Sequence, residues 1–263
     1  MLAFQPAFRA ITIGTPVFTI GSLFLNGEQG AWYDPSDITT LFQDSAGSTP
    51  VTAAGQPVGL MLDKSGRGNH ARQTTAAARP LYQIDAGKPY LAFDGVDDFM
   101  VTTAFAWGSD EAFLSEAVTR SASGIIVLSE FSANANNFAG SFYHVLSDSV
   151  FNASSRGSAS ISNGLAQAGA IIFNAPSVVL STHKISSDFS RIRKNGVAGT
   201  DATGDQGSGN FGTYPLHIGA RSGGVGSLNG RIYGAIYRNL NPNPTTIAAI
   251  EQYLAAKSGA TLA

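Results

Sequence analysis

The chain has 263 residues, a formal net charge of -2, no cysteine and 13% charged residues. The missing cysteines exclude disulfide frameworks, thiol catalysis and thiolate zinc sites, and a near-neutral balance without a basic run excludes nucleic acid as a partner. A hydrophobic share of 43% is enough to fill a core, and 30 glycines among so few charges favour strands and turns over helical bundles.

Residues 1–30 are apolar and poor in charge, with Phe4, Phe8, Phe18 and Phe24 spaced along them and Arg9 as the first charge. Gly14, Pro16 and Gly21 interrupt the apolar run, so neither a signal peptide nor a membrane span fits it. The segment is expected to be an assembly arm that orders on a neighbouring subunit, its backbone pairing with an edge strand there. The alternative is an arm that folds back onto its own sandwich.

The body follows from residue 31. Asn-Gly pairs begin at Asn26, Asn163, Asn195 and Asn229, and Asp94 precedes Gly95. These pairs tolerate the positive φ of tight hairpin turns. Between them, short β-branched or aromatic runs at 125–128, 171–173, 177–180, 216–218 and 231–237 predict strands. In the last run Ile232, Gly234 and Ile236 are expected on one face and Tyr233, Ala235 and Tyr237 on the other, both covered, as in a sandwich. Arg191-Ile-Arg193 running into Asn195-Gly196 predicts an exposed hairpin. Asn243 as cap, Pro244 at the first position and Gly259 at the end predict a helix over 244–257, packed outside the sheets. The fold class is therefore all-β, a jelly-roll sandwich of two antiparallel sheets with an N-terminal arm (1–30), one domain (31–263) and one short C-terminal helix.

Chemistry-bearing patterns are sparse. Two segments, 66–71 and 207–212, match the spacing of a dinucleotide loop, but neither sits between a buried strand and a helix, so both are Gly-rich turns. Five glutamates occur, Glu28, Glu111, Glu116, Glu130 and Glu251, and only Glu130 falls in an expected strand. A sandwich-fold glycosidase needs two carboxyl groups facing one substrate, and Glu130 has no same-face partner at i±2 or i±4. The expectation is that there is no catalytic centre and no enzyme activity. His70, His144, His183 and His217 are scattered without metal-ligand spacing. Calcium is the one cation considered, through Asp94, Asp97 and Asp98, with a solvated hairpin turn as the simpler reading. No cofactor is expected otherwise. Trp32, Tyr33, Trp107, Phe138, Phe142, Tyr143 and Tyr214 are the aromatic side chains that could stack on sugar rings.

Several segments together resemble the concanavalin A-like (laminin G-like) jelly-roll superfamily, in the branch found in tailed-bacteriophage and prophage virion proteins. They are residues 31–37 (AWYDPSD), 62–71 (LDKSGRGNHA), Arg79-Pro80, 91–98 (LAFDGVDD), 216–220 (LHIGA), 228–233 (LNGRIY) and the final helix ending at Gly259. The resemblance spans most of 31–259 and leaves the arm unexplained. It implies a virion structural protein of the tail or tail fibre with host-glycan contact. A capsid decoration or head-fibre protein is the alternative, and a glycan hydrolase ranks third. It also implies other virion proteins as partners, a homo-oligomer with a trimer favoured, and location in the virion.

Overall fold

The computed structural model describes residues 18–134, 139–147, 149–157 and 165–263, and two antiparallel sheets face each other in it as a sandwich. The first has eight strands. In order they are Val197–Ala198, Phe189–Lys194, Ser177–Lys184, Glu111–Arg120, Asn229–Arg238, Lys88–Asp94 and Leu81–Asp85. The eighth strand, Gly30–Tyr33, pairs with the second half of Asn229–Arg238, while Lys88–Asp94 pairs with its first half. Gly30 is required at that join, because a Cβ there would sit 1.9 Å from the carbonyl oxygen of Tyr237.

The second sheet has nine strands, in the order Ala166–Ala170, Val150–Arg156, Ser141–Leu146, Ile126–Phe131, Leu216–Ile218, Met100–Val101, Ala71–Arg72, Leu60–Met61 and Leu41–Phe42. Both sides of the sandwich are stitched by backbone bonds between the layers. On one side the amides of Gln167 and Thr200 bond each other's carbonyls at 3.0 and 2.7 Å. On the other, Tyr82 donates to Gln56 and Val58 to Pro80.

Two apolar clusters hold the fold. The larger lies between the sheets and includes Leu91, Met100, Trp107, Leu114, Phe131, Phe142 and Ile218. The smaller lies outside the eight-stranded sheet, where Phe113, Leu180, Tyr233 and Ile236 meet Ile250 and Leu254 of helix α1 (Pro244–Ser258). The helix starts and stops where its sequence signals place it. The Asn243 side chain accepts the Thr246 N–H at 2.9 Å, and Gly259 closes the end in the left-handed region at φ 81°.

Two strand expectations are revised, and one strand is new. The run 231–237 carries a bulge between Ile232 and Gly234. Ile232 therefore faces the interior with Ala235 and Tyr237, while Tyr233 and Ile236 face α1. A bulge adds one residue and so exchanges faces on either side of it. Residues 171–173 are not a strand, since the edge strand ends at Ala170 and a turn with Asn174 at φ 59° follows. Glu111–Arg120, a long central strand with neighbours on both sides, was not foreseen. Its Ala, Leu and Glu favour helices, and burial on both faces overrides that preference.

The start of the described chain docks on its own sandwich. Ile20–Phe24 forms a 3-10 turn whose Ile20, Leu23 and Phe24 are buried against α1 and the eight-stranded sheet. Arg238 donates to the Leu23 carbonyl at 2.7 Å and Arg67 to that of Phe24. Phe24 is thus a core residue in cis, Phe18 is partly exposed, and Phe4 and Phe8 lie outside the described residues. Among the described residues, no helix is long and apolar enough to cross a membrane.

Candidate functional site

Cross-strand register builds a polar row on the outward face of the nine-stranded sheet. Ser129 contacts the opposite sheet and Phe131 belongs to the inner cluster, so Glu130 between them faces outward. His217 lies between the core residues Leu216 and Ile218 and faces outward likewise. Directly paired positions then run Val101, His217, Glu130, Tyr143, Ser154 across five strands.

Glu130 is fully buried, yet it sits on this outer side. One carboxylate oxygen accepts from Arg221 Nε at 2.9 Å and the other from Ser132 Oγ at 2.7 Å. His217, 7% exposed, has no hydrogen-bond partner at either ring nitrogen. Burial pushes its pKa down, opposed by the nearby Glu130 charge. An imidazole held neutral beside a carboxylate, with both nitrogens buried and unbonded, has the chemistry to accept or relay a proton.

A second polar group crosses the interior. Glu116 accepts from Ser129 Oγ (2.5 Å), Tyr237 OH (2.8 Å) and His144 Nδ1 (2.5 Å). The chain continues from His144 Nε2 to Ser181 Oγ (2.5 Å), His183 Nε2 (2.8 Å) and, through His183 Nδ1, Ser190 Oγ (2.8 Å). Ser190, Ser155 and Gln206 finish it at 3.0 and 2.6 Å. Every member is buried. Donor and acceptor roles along the chain follow the tautomers of the two histidines, and Ser155 donates to Gln206 at its end. Glu116 is costly to bury, but His144 and the hydroxyl donors outweigh that cost and hold its pKa below the usual value. Burial, with the adjacent His144, depresses His183 to about 3 and keeps it neutral. Although Ser181, His144 and Glu116 have the order of a hydrolytic triad, they are sealed between the sheets, where the network joins the layers. Sequence spacing missed it, because Glu116, His144 and Ser181/His183 lie on three different strands. The alternation of Ser181 and His183 on one strand face was its one local sign.

The remaining sequence candidates separate. Asp94, Asp97 and Asp98 do come together, with oxygens within 4.8 Å of one another. Burial, reinforced by Asp94 and Asp97, raises Asp98 to about 6. Asp98 also accepts the Asp94 N–H at 3.0 Å, and Asp94 accepts the Val96 N–H at 2.8 Å, so these acids also shape the turn. Among the described residues these three could hold a cation, and calcium would need further oxygens beyond them. Tyr33 is buried and donates to the Asn69 carbonyl, which removes it as a sugar contact. Trp107 and Phe142 are also buried, inside a cluster of rings with Phe131 and Phe211. Tyr214 is half-buried and donates to Ala139 O at 2.9 Å. Trp32 is half-buried against Tyr253 with Lys64 over its ring. Tyr143 stays on the outward row, and Phe138 lies outside the described residues. The motif 62–71 is structural. Asp63 accepts from the amides of Trp32, Ser65 and Asn69 at 2.8–3.0 Å, bracing the loop in which Gly66 and Gly68 have positive φ.

No protein-family model matches the chain, and no curated protein matches it in sequence. Solved structures do match in fold. A mutant GH54 α-L-arabinofuranosidase soaked with 4-nitrophenyl α-L-arabinofuranoside matches with a TM-score of 0.63 and 12% identity, over 92% of this chain and 66% of that one. An arabinofuranosidase complexed with arabinofuranosyl-α-1,2-xylobiose gives 0.60 and 12%, over 92% and 65%. A Trypanosoma rangeli sialidase gives 0.59 and 12%, over 91% and 34%. The chain therefore spans about a third of the sialidase and just under two thirds of the arabinofuranosidases. At this identity the likeness shows the sandwich fold. It nevertheless corrects two expectations, the virion structural role and the absence of enzyme activity. The sialidase and the arabinofuranosidases named above are sandwiches that act on glycans, unlike the virion part expected from the sequence. Glu130 is not the lone strand glutamate, since Glu111 and Glu116 share a strand of the other sheet.

Proposed function

We propose that the chain is a glycan-acting sandwich of the glycoside hydrolase class, concanavalin A-like in kind, with its substrate face on the outward side of the nine-stranded sheet. The observation that carries this reading is the pairing of Glu130 with His217 in one cross-strand row. Glu130, buried just beneath this face against Arg221 and Ser132, would place its negative charge behind the positive charge that develops on the sugar ring as the glycosidic bond breaks. His217 beside it is the proton-handling group, since Glu130 is the only carboxylate on the described strands of this sheet. Tyr143, half-buried in the same row, supplies an aromatic edge for the sugar.

The fold likeness to arabinofuranosidases and a sialidase supports a glycan as substrate. The test is release of nitrophenol or reducing sugar from a panel of aryl glycosides, starting with 4-nitrophenyl α-L-arabinofuranoside and an aryl sialoside. Activity that falls at least 100-fold in Glu130→Gln and in His217→Ala, with the fold intact, supports the assignment. Full activity in both variants defeats it. A glycan-binding sandwich without hydrolysis is the second reading, favoured by both Glu130 oxygens already being bonded; saturable glycan binding with no product would select it.

A further inference from the structure

We propose that a groove on the opposite side of the molecule, between the outward face of the eight-stranded sheet and the start of α1, binds an uncharged sugar unit. It does not depend on the Glu130 row, which lies on the other sheet.

The groove has a volume of about 390 Å³ and is lined by Lys184, Phe189 and Arg191 from the sheet and Asn241, Pro244 and Ile247 from the chain entering α1. Register explains the sheet wall. Ser181 and His183 turn inward to the buried network, so Thr182 and Lys184 turn outward, paired with Arg191 and Phe189. Phe189 offers an apolar surface with the Arg191 guanidinium 5.1 Å from its ring centroid. The opposite wall is Pro244 and Ile247.

The polar groups select the ligand. Each cation is already neutralised, Lys184 by Glu111 at 2.9 Å, Arg191 by Asp201 in a two-bond fork at 2.7 and 2.8 Å, and neighbouring Arg193 by Glu251. The groove thus has donors fixed in place and no unpaired positive charge to attract an anion. Asn241 adds the deciding feature. Its amide nitrogen donates to the His183 carbonyl at 3.0 Å, which locks the side chain, while its amide oxygen is buried with no partner. An orphaned acceptor calls for a donor. A carboxylate or phosphate has only acceptors, whereas a sugar hydroxyl donates to Asn241 and accepts from Lys184 or Arg191 at once. Apolar walls for the C–H faces of a ring complete the match.

The full chain is titrated calorimetrically with xylotetraose, cellotetraose, maltotetraose and an arabinoxylan oligosaccharide, and with 3′-sialyllactose as the charged probe, at 20 and 500 mM NaCl. The expected result is binding of a neutral probe that changes less than twofold with salt. It weakens at least tenfold in Phe189→Ala and severalfold in Arg191→Ala, an exposed position whose loss spares the core. Binding of no neutral probe overturns the proposal, as does binding unchanged in both variants. So does binding confined to sialyllactose and lost at high salt, which would make the groove an anion site. The wild-type titration stands whether or not the hydrolase assay yields product, so failure of either reading is seen separately.

Discussion

His144 of the nine-stranded sheet places its Nδ1 2.5 Å from a carboxylate oxygen of Glu116 in the eight-stranded sheet, with both side chains buried. Two ionisable groups thus bridge the layers at the centre of the core. Removing one partner of such a pair leaves a buried charge and costs about 3–5 kcal/mol. Glu116→Gln and His144→Ala should each lower the urea midpoint strongly, whereas the double substitution to apolar residues should recover part of the loss. A double-mutant cycle with no coupling would contradict the bridge.

Acid should loosen the same network. His183 is depressed to about 3 in the folded chain from an ordinary value of 6.5, so between those limits the unfolded chain binds more protons than the native one. Glu116, also depressed, acts with the same sign at lower pH. Stability is therefore full above about pH 6.5 and declines as pH falls toward 3. Denaturation midpoints measured from pH 8 to 4 should show the decline, and His183→Gln should flatten it.

Asp98 has the opposite sign. Raised to about 6, it binds protons more readily in the folded state, so its contribution is lost as pH rises from about 4 through 6. Asp98→Asn keeps an oxygen for the Asp94 amide and removes the repulsion from Asp94 and Asp97. The variant should melt higher than the parent at pH 8 and equally at pH 4. A lower melting temperature at pH 8 would show that the charge is needed there, as it would be for a bound cation.

An arm that ordered only on a neighbour could be removed without loss of the fold. Deleting residues 2–25 instead strips Ile20, Leu23 and Phe24 from beneath α1. Each such side chain contributes about 1.5–3 kcal/mol when fully buried. The truncated chain should unfold at markedly lower denaturant than the parent; an unchanged midpoint would mean the 3-10 turn carries little of the fold.

The sandwich was legible wherever one residue type answers one backbone need. Asn195 and Gly196, both at positive φ, make the hairpin, and Asn243 and Gly259 bound the helix. The strand Glu111–Arg120 was hidden because its residues suit a helix in isolation and a strand only when covered on both faces. The polar sites were hidden for a related reason. Glu130 meets His217 through pairing of strands 87 residues apart in the chain, and Glu116, His144 and His183 converge only when the sheets close. Trp107 misled for the converse reason, since nothing local tells a core ring from an exposed one. Trp107→Ala should cost about 3–5 kcal/mol of stability.

The stitched sides carry a consequence for how the molecule behaves in company. A sheet rim with free amides and carbonyls is a template on which a passing extended peptide can crystallise, strand upon strand. Here Gln167 with Thr200, and Gln56 and Val58 with Tyr82 and Pro80, spend those groups on the layer opposite. At those positions the described rim offers an incoming strand fewer groups to pair with, which makes it a poorer template for strand addition.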